Sequence, residues 1–280
     1  MRVAAAPLLC ALAGALGGCA GPSPPVPPPG LAYRLPSPPT LGYRMADTVR
    51  VEIQALGQSF AVEGGARSDW RIEYEPDPRG VRVTATLVDL DARMSNPLGP
   101  GQLVDESQVT GPVVFTLGPR GNPDVVSFPR IEAGAAQFFT GGTIAHGFFP
   151  CLPGRSLVPG EGWVDTVSYS AAEAGAQTTV RTLWSYTAAG DSTVGDAAYQ
   201  LVRASGETEQ SSAGTVADAE FTQSVAGGLE GYFLWDARAG NLHSSEYRSD
   251  LSGTTEISIA PVPLEVRVRS IVRVARAPVS

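Results

Sequence analysis

Two side chains in the middle of the sequence have the chemistry of a nucleophile and its base. His146 and Cys151 are five residues apart in the stretch GGTIAHGFFPCLPG. An imidazole within hydrogen-bond reach of a thiol can remove its proton and leave a thiolate nucleophile. The same glycines and prolines are typical of a packed loop that buries a small thiol, and the pattern favours this second interpretation.

A pair of carboxylates, Asp89 and Asp91, is the second candidate site. Alternate residues of a strand point to the same side, so both carboxylates would share one face, as a cation site or an acid pair requires. Charges on one face are also a common way in which a strand edge avoids aggregation. The solvated edge is the interpretation that we adopt.

Three arginines near the end of the chain form a stripe. Arg267, Arg269 and Arg273 fall on one side of the segment PLEVRVRSIVRVA, where they could bind an anionic headgroup. Cross-strand pairing with carboxylates such as Glu52 would use the same charges. In an acidic protein this pairing is the favoured interpretation.

The sequence contains no pattern of an established enzyme class. His146 and His243 are not spaced with each other, or with cysteines, as zinc ligands are. A phosphate-binding glycine loop and a serine nucleophile elbow are also missing. The sequence therefore predicts a non-enzymatic protein with no metal site and no cofactor.

An aromatic cluster marks the middle of the chain. Four phenylalanines and a leucine are crowded into a glycine-interrupted stretch where no regular strand is predicted. Such side chains must be buried. As a plug they would close one end of a sheet, and as a lid they would cover an apolar cavity that admits a lipid tail. The candidate ligand-binding residues are Phe138, Phe139, Phe148, Phe149 and Leu152.

A β-sheet must position these candidates. Apolar and polar residues alternate in TVRVEIQA, DWRIEYE and GVRVTATL, which is the pattern of antiparallel strands buried on one face. The alternation changes face near Leu87, which predicts a bulge or a strand end there. Hairpin turns are predicted around residues 118–123 and 236–240.

The predicted fold is mainly β. One large curved antiparallel sheet, either a half-barrel or a two-layer β arrangement, would form a single domain over residues 41–280, with a short helix or loop as a plug in the middle. Residues 130–139 are predicted to form that helix, ended by two glycines. The segments 41–129 and 162–275 have similar patterns, which leaves duplication of one unit open.

Composition limits the partners of the protein. The chain has 280 residues, no lysine and a formal net charge of −8, and loss of Arg2 with a leader would make it more negative. An acidic chain is not expected to bind nucleic acid, because phosphates require basic patches. Cys151 has no partner for an intramolecular disulfide in the predicted domain.

The amino terminus has the layout of an export signal. A positively charged start precedes an apolar run that is too short for a membrane span. The junction LGGC, which ends at Cys19, resembles the lipobox of bacterial lipoproteins. This resemblance implies cleavage of residues 1–18, diacylglycerol on the Cys19 thiol, and acylation of the new amino terminus by a fatty acid such as palmitate. The alternative is a plain secretory signal with an incidental Cys19.

Prolines dominate the residues that follow. Residues 22–39 favour an extended spacer that rises roughly 3.1 Å per residue, so residues 19–40 are assigned to a lipidated tether. In the Gram-negative lipoproteins that this region resembles, an aspartate after the cysteine retains the protein at the inner membrane. Ala20 stands there in this chain, which implies a lipid anchor in the outer membrane and a domain facing the periplasm.

The mature chain resembles a loose group of Gram-negative lipoproteins built from curved antiparallel sheets, through its segments FFPCLPGRSLVPGEGWVDT and WDARAGNL. More remotely it is similar to the half-barrel lipoprotein carriers of the periplasm, which hold acyl chains in a concave sheet. The resemblance implies binding of an apolar ligand or an acylated partner in the concave face of the sheet. A structural or assembly lipoprotein that contacts other envelope proteins is the alternative.

We expect Cys19→Ser to release the protein from the membrane. A serine hydroxyl cannot form the thioether to the lipid, and each buried methylene of a lipid chain contributes about 0.8 kcal/mol to anchoring. Cell fractionation would find this variant in the soluble periplasmic fraction, whereas the neighbouring control Ala20→Ser would stay with the membranes. Sedimentation of Cys19→Ser with the envelope would show that the predicted lipidation is wrong.

Overall fold

The computed structural model describes most of the chain after the proline-rich start: residues 30–55, 57–95, 101–132, 134–135, 138, 141–173, 176–216, 219–260 and 262–279. Cys19 and Phe139, two of the residues singled out above, lie outside this part. Within it, none of the helices has the length and apolar character needed to cross a bilayer.

The described residues are mostly in β-strands. They include one short α-helix, α1 (Gly141–Gly147), and one 3-10 turn, Glu106–Gln108. The strands are β1 (Thr40–Ala55), β2 (Gln58–Asp77), β3 (Gly80–Met94), β4 (Gln102–Asp105), β5 (Val109–Thr110), β6 (Val113–Leu117), β7 (Pro123–Ser127), β8 (Arg130–Ile131), β9 (Gly162–Glu173), β10 (Ala176–Val194), β11 (Ala197–Val216), β12 (Ala219–Asp236), β13 (Asn241–Ile257) and β14 (Leu264–Ala277).

One antiparallel sheet contains almost all of these strands. Its order is β7-β6-β3-β2-β1-β14-β13-β12-β11-β10-β9, and β4 also pairs with β3. The first and last strands of the chain, β1 and β14, pair in the middle of the sheet, so the two predicted repeats meet at this pair. The sheet is curved into a half-barrel, which confirms the predicted fold class. Duplication of the two halves stays a prediction.

The alternating sequence pattern sorts side chains between the two faces of the sheet. In β14, Val266 and Val274 are buried, whereas Arg267 and Arg273 are exposed. The predicted change of face near Leu87 is a bulge, because the pairing of β3 with β2 skips Val88. Both predicted hairpins are also confirmed, since β6 turns into β7 and β12 turns into β13 at the expected positions.

Glycines allow two neighbouring strands to approach closely where the sheet bends. Gly227 and Gly231 of β12 and Gly253 of β13 share the concave side with their paired residues. A Cβ atom on Gly253 would lie 1.9 Å from the backbone oxygen of Ser224, and Cβ atoms on the other two would lie 2.2 and 2.1 Å from backbone oxygens of β13. Only a hydrogen fits at these positions, so the glycines permit the curvature.

A cap closes one end of the concave face. We define it as Phe138 and residues 141–155. Leu31 and Tyr33, from the start of the described chain, pack into the core at 1% and 5% exposure, and the Tyr33 hydroxyl donates to a backbone oxygen of the cap. The folded chain therefore includes Leu31, and the tether predicted over residues 19–40 extends too far. Because prolines surround these two residues in the sequence, the tether was predicted to include them, although their apolar side chains belong to the core.

The helix of the cap is not where the sequence predicted it. Arg130 and Ile131, placed in the predicted helix 130–139, pair instead with β5 as strand β8. The helix α1 begins at Gly141, where the predicted one was to end. Tertiary burial explains the difference, because Ile144 and Ala145 of α1 are almost fully buried and this outweighs the poor helix propensity of the glycines.

Gly253→Ala tests the role of the close approach between β12 and β13. The added Cβ would overlap the Ser224 oxygen, so we expect a loss of about 1–3 kcal/mol in the free energy of unfolding, measured by urea denaturation. The control is Gly228→Ala, where a Cβ meets no atom within 4 Å and stability should be unchanged or slightly higher. Equal stability of the two variants would contradict this explanation of the curvature.

Candidate functional site

A cavity of about 410 Å³ lies between the cap and the concave face of the sheet. The cap contributes Phe138, the helix residue His146 and the segment 147–151 to its wall. The sheet contributes side chains from β1 and from all six strands between β9 and β14. The cavity therefore exists only because the curved sheet brings distant parts of the chain to face one another.

The end of the cavity beneath the cap is aromatic. The rings of Phe148 and Phe149 lie 5.1 Å apart, and Phe148 packs edge-on against Tyr43 at 5.1 Å. On the sheet, Trp184 and Tyr186 stack with ring centroids 5.8 Å apart. Aromatic pairs of this kind contribute roughly 0.5–1.5 kcal/mol each beyond their buried area, so this part of the wall is firmly held.

Hydroxyl side chains of the sheet also face the cavity, in bonded pairs. The Oγ1 atoms of Thr182 and Thr208 lie 2.8 Å apart, and the Oγ atoms of Ser249 and Ser270 lie 2.7 Å apart. A hydroxyl has two lone pairs, so each pair can still accept hydrogen bonds from a ligand. The cavity wall thus combines aromatic rings with hydroxyl groups that can form hydrogen bonds.

Asp47, on β1, places a carboxylate in the wall. Its Oδ1 atom accepts a hydrogen bond from the backbone N–H of Ala66 at 2.8 Å. Burial raises the pKa of Asp47 to about 6, although backbone hydrogen bonds oppose the shift. Because this pKa lies below 7, the side chain is mostly ionised at neutral pH and carries a negative charge into a largely apolar wall.

Cys151 and His146 both reach the wall, but not as a nucleophile and its base. Burial raises the pKa of the Cys151 thiol to about 12, and its Sγ atom lies 3.8 Å from Oδ1 of Asn122. The His146 ring stacks on Tyr169 with centroids 4.5 Å apart, and burial lowers its pKa. A protonated, buried thiol is unreactive, in agreement with the packed-loop interpretation.

Three of the five predicted ligand-binding residues line the cavity: Phe138, Phe148 and Phe149. Leu152 is fully buried in the core instead, and Phe139 lies outside the described residues. The cap acts as both the plug and the lid considered above, because its rings fill one end of the core and also cover the cavity. A ligand-binding role for these residues stays a prediction.

The sequence interpretation missed the part of the wall that the sheet supplies. Asp47, Trp184, Tyr186 and Tyr247 were not identified as site residues. For Asp47 a signal was present, because it precedes Val49 in the same alternation and therefore had to face inward. The three aromatic residues lie on strands whose facing partners only the sheet order reveals.

The arginine stripe lies on the outer face and is paired. Arg267 donates to Asp250 at 2.7 Å, and Arg269 lies 3.4 Å from Glu52. Arg273 likewise donates to a glutamate of β13. This confirms the predicted cross-strand pairing. Exposed ion pairs contribute only about 0–1 kcal/mol each, so they favour the strand register more than they stabilise the fold.

The remaining candidates also lie away from the cavity. Asp89 and Asp91 are exposed on β3, and Asp91 pairs with Arg93 at 3.0 Å. His243 stacks on Tyr199 with ring centroids 4.0 Å apart. In the described part of the chain, no group of three or more His, Cys, Asp or Glu side chains is placed to hold a metal ion.

Comparison with known proteins adds little to this geometry. No family model matches the chain, and no curated protein matches it. Among solved structures, the chain is similar to the β domain of the Bordetella autotransporter Brka, with 9% sequence identity and a TM-score of 0.23 over 84% of this chain and 99% of that one. A likeness at this TM-score carries no argument about function.

Proposed function

We propose that the protein is a membrane-anchored lipoprotein that binds an apolar ligand in the cavity beneath its cap. The observation that carries this proposal is the cavity of about 410 Å³ itself. Protein interiors normally contain few voids larger than a water molecule, whereas pockets of roughly 300–1,000 Å³ are typical of small-molecule sites. An acyl chain carried by a partner protein would offer the same apolar surface as a free ligand.

The chemistry of the wall supports binding rather than catalysis. The buried Cys151 thiol is protonated at neutral pH because its pKa is raised to about 12. Among its described hydrogen bonds, Asp47 accepts only from backbone N–H groups, so the described geometry gives it no acid or base to exchange protons with. The proposed role is therefore non-enzymatic.

The anchoring part of the proposal rests on the LGGC junction and on Ala20. Their resemblance to the signals of Gram-negative lipoproteins supports a lipid on Cys19, an anchor in the outer membrane and a domain on the periplasmic side. The backbone of Leu31 bonds to the cap, so a tether from Cys19 would join the fold at its capped end.

A second candidate function is assembly through protein contacts. Val164 on the edge strand β9 is 60% exposed, and Leu183 on the neighbouring β10 is 47% exposed. Both point away from the cavity and together form an apolar surface beside a free strand edge. Exposed apolar surfaces can mark protein contacts, so this surface supports the alternative.

Leu229→Trp should abolish ligand binding by filling the cavity. Leu229 lines the cavity on β12. The Trp184 ring already covers Gly206, its neighbour on β11, so the added indole would project into the cavity. Binding of the uncharged fluorescent probe N-phenyl-1-naphthylamine would be measured with the full chain carrying Cys19→Ser, which is expected to be water-soluble. We expect a loss of about tenfold or more in affinity, or about 1.4 kcal/mol.

The matched control is Leu183→Trp, which makes the same change on the outer face and should bind the probe as the parent does. Thermal unfolding of both variants would establish that each is folded. Failure of the parent to bind the probe, or equal binding by Leu229→Trp, would contradict the proposed function.

A further inference from the structure

The cavity wall contains no cation among the residues that the structure describes. All 20 basic residues of the chain are arginines, and every one except Arg2 is described. None of those arginines lines the cavity. Arg276, at the core end of β14, donates to Asn241, and Arg120 pairs with Asp165 at 3.0 Å. An anionic ligand would therefore find no described arginine in this wall.

Asp47 supplies the charge of the described wall at neutral pH. Its direct partners on the neighbouring strands, Ala66 and Val272, are apolar. The wall residues His146, Cys151, Tyr186 and Tyr247 are uncharged at neutral pH, because burial lowers the pKa of the histidine and raises the pKa values of the cysteine and the two tyrosines.

The hydroxyl groups of the wall suit an uncharged head, and Ser270 lies near Asp47 because it pairs with Val49, the next inward-facing residue of β1. Thr182, Thr208, Ser249 and Ser270 present hydroxyl groups that can accept hydrogen bonds from an alcohol. Hydroxyl groups do not neutralise a carboxylate or a phosphate. A hydrocarbon chain would lie against the aromatic and aliphatic side chains of the wall.

We propose that the cavity selects amphiphiles with one hydrocarbon chain and an uncharged, hydroxyl-bearing head over those with an anionic head, and that Asp47 determines this selection. The inference rests on the proposed function and names the class of its ligand. An anionic head would enter a low-dielectric space that already holds the Asp47 carboxylate, with no counter-charge in the described wall. Like charges repel strongly under those conditions.

The test compares 1-monolauroylglycerol with laurate, which share one acyl chain and differ in head charge. Both would displace N-phenyl-1-naphthylamine from the full chain carrying Cys19→Ser at neutral pH. We expect laurate to bind about tenfold more weakly than the glycerol ester, or less tightly still. Asp47→Asn should raise laurate affinity by about tenfold and leave that of the ester within about twofold, because the amide oxygen can still accept the Ala66 N–H.

Asp89→Asn is the matched control, because it removes an exposed carboxylate of the outer face and should change neither affinity. Equal affinity of the parent for the two amphiphiles, or laurate binding that Asp47→Asn leaves unchanged, would overturn the selection while the proposed function stands. If Asp47→Asn fails to fold, the affinities of the parent for laurate and for 1-monolauroylglycerol decide whether the selection exists. Absence of any amphiphile or probe binding would overturn both proposals.

Discussion

The cavity depends on a mismatch between two sets of side chains that face each other across the half-barrel. The cap supplies large rings, such as Phe148 and Phe149, and these fill the end of the concave face where Leu31 and Tyr33 enter the core. Apart from the aromatic residues Tyr169, Trp184, Tyr186 and Tyr247, the sheet lines the cavity chiefly with valines, serines and threonines. Glycines such as Gly253 let the sheet bend until its strands enclose a space. The small side chains on the concave face are too short to fill that space. A ligand in that space can make the van der Waals contacts that the wall residues do not make with one another.

The two faces of the sheet carry different chemistry, and this difference connects the fold to the proposed function. On the outer face, charges such as Arg267 and Asp250 pair across strands and stay hydrated. Between the inner face and the cap, burial disfavours charge, so the cap thiol of Cys151 stays protonated, whereas Asp47 on the inner face is mostly ionised. A ligand that covers the apolar wall without adding a second negative charge would stabilise the folded protein by mass action. The cavity would then discriminate by charge as well as by shape.

Local patterns predicted much of the fold, because alternation, turn residues and the change of face near Leu87 are encoded within a few neighbouring residues. The stripe that contains Arg267 was also predictable, since an acidic protein offers partners on adjacent strands. Features that depend on contacts between distant parts of the chain were not predictable from the sequence. The packing of Leu31 and the position of α1 follow from burial against strands far away in the sequence. The wall of the cavity required the order of the strands, which no single segment contains, although the inward position of Asp47 was readable from β1 alone.

The most direct test of the central claim is native mass spectrometry of the full chain carrying Cys19→Ser, secreted and purified without detergent. If the space beneath the cap is a ligand site, the spectrum will contain a complex heavier than the polypeptide, and activation in the gas phase will release an uncharged amphiphile. Incubation with 1-monolauroylglycerol should convert any remaining free protein into a complex of defined mass. Detection of the bare polypeptide alone, before and after that incubation, would contradict the claim that the cavity accepts a ligand.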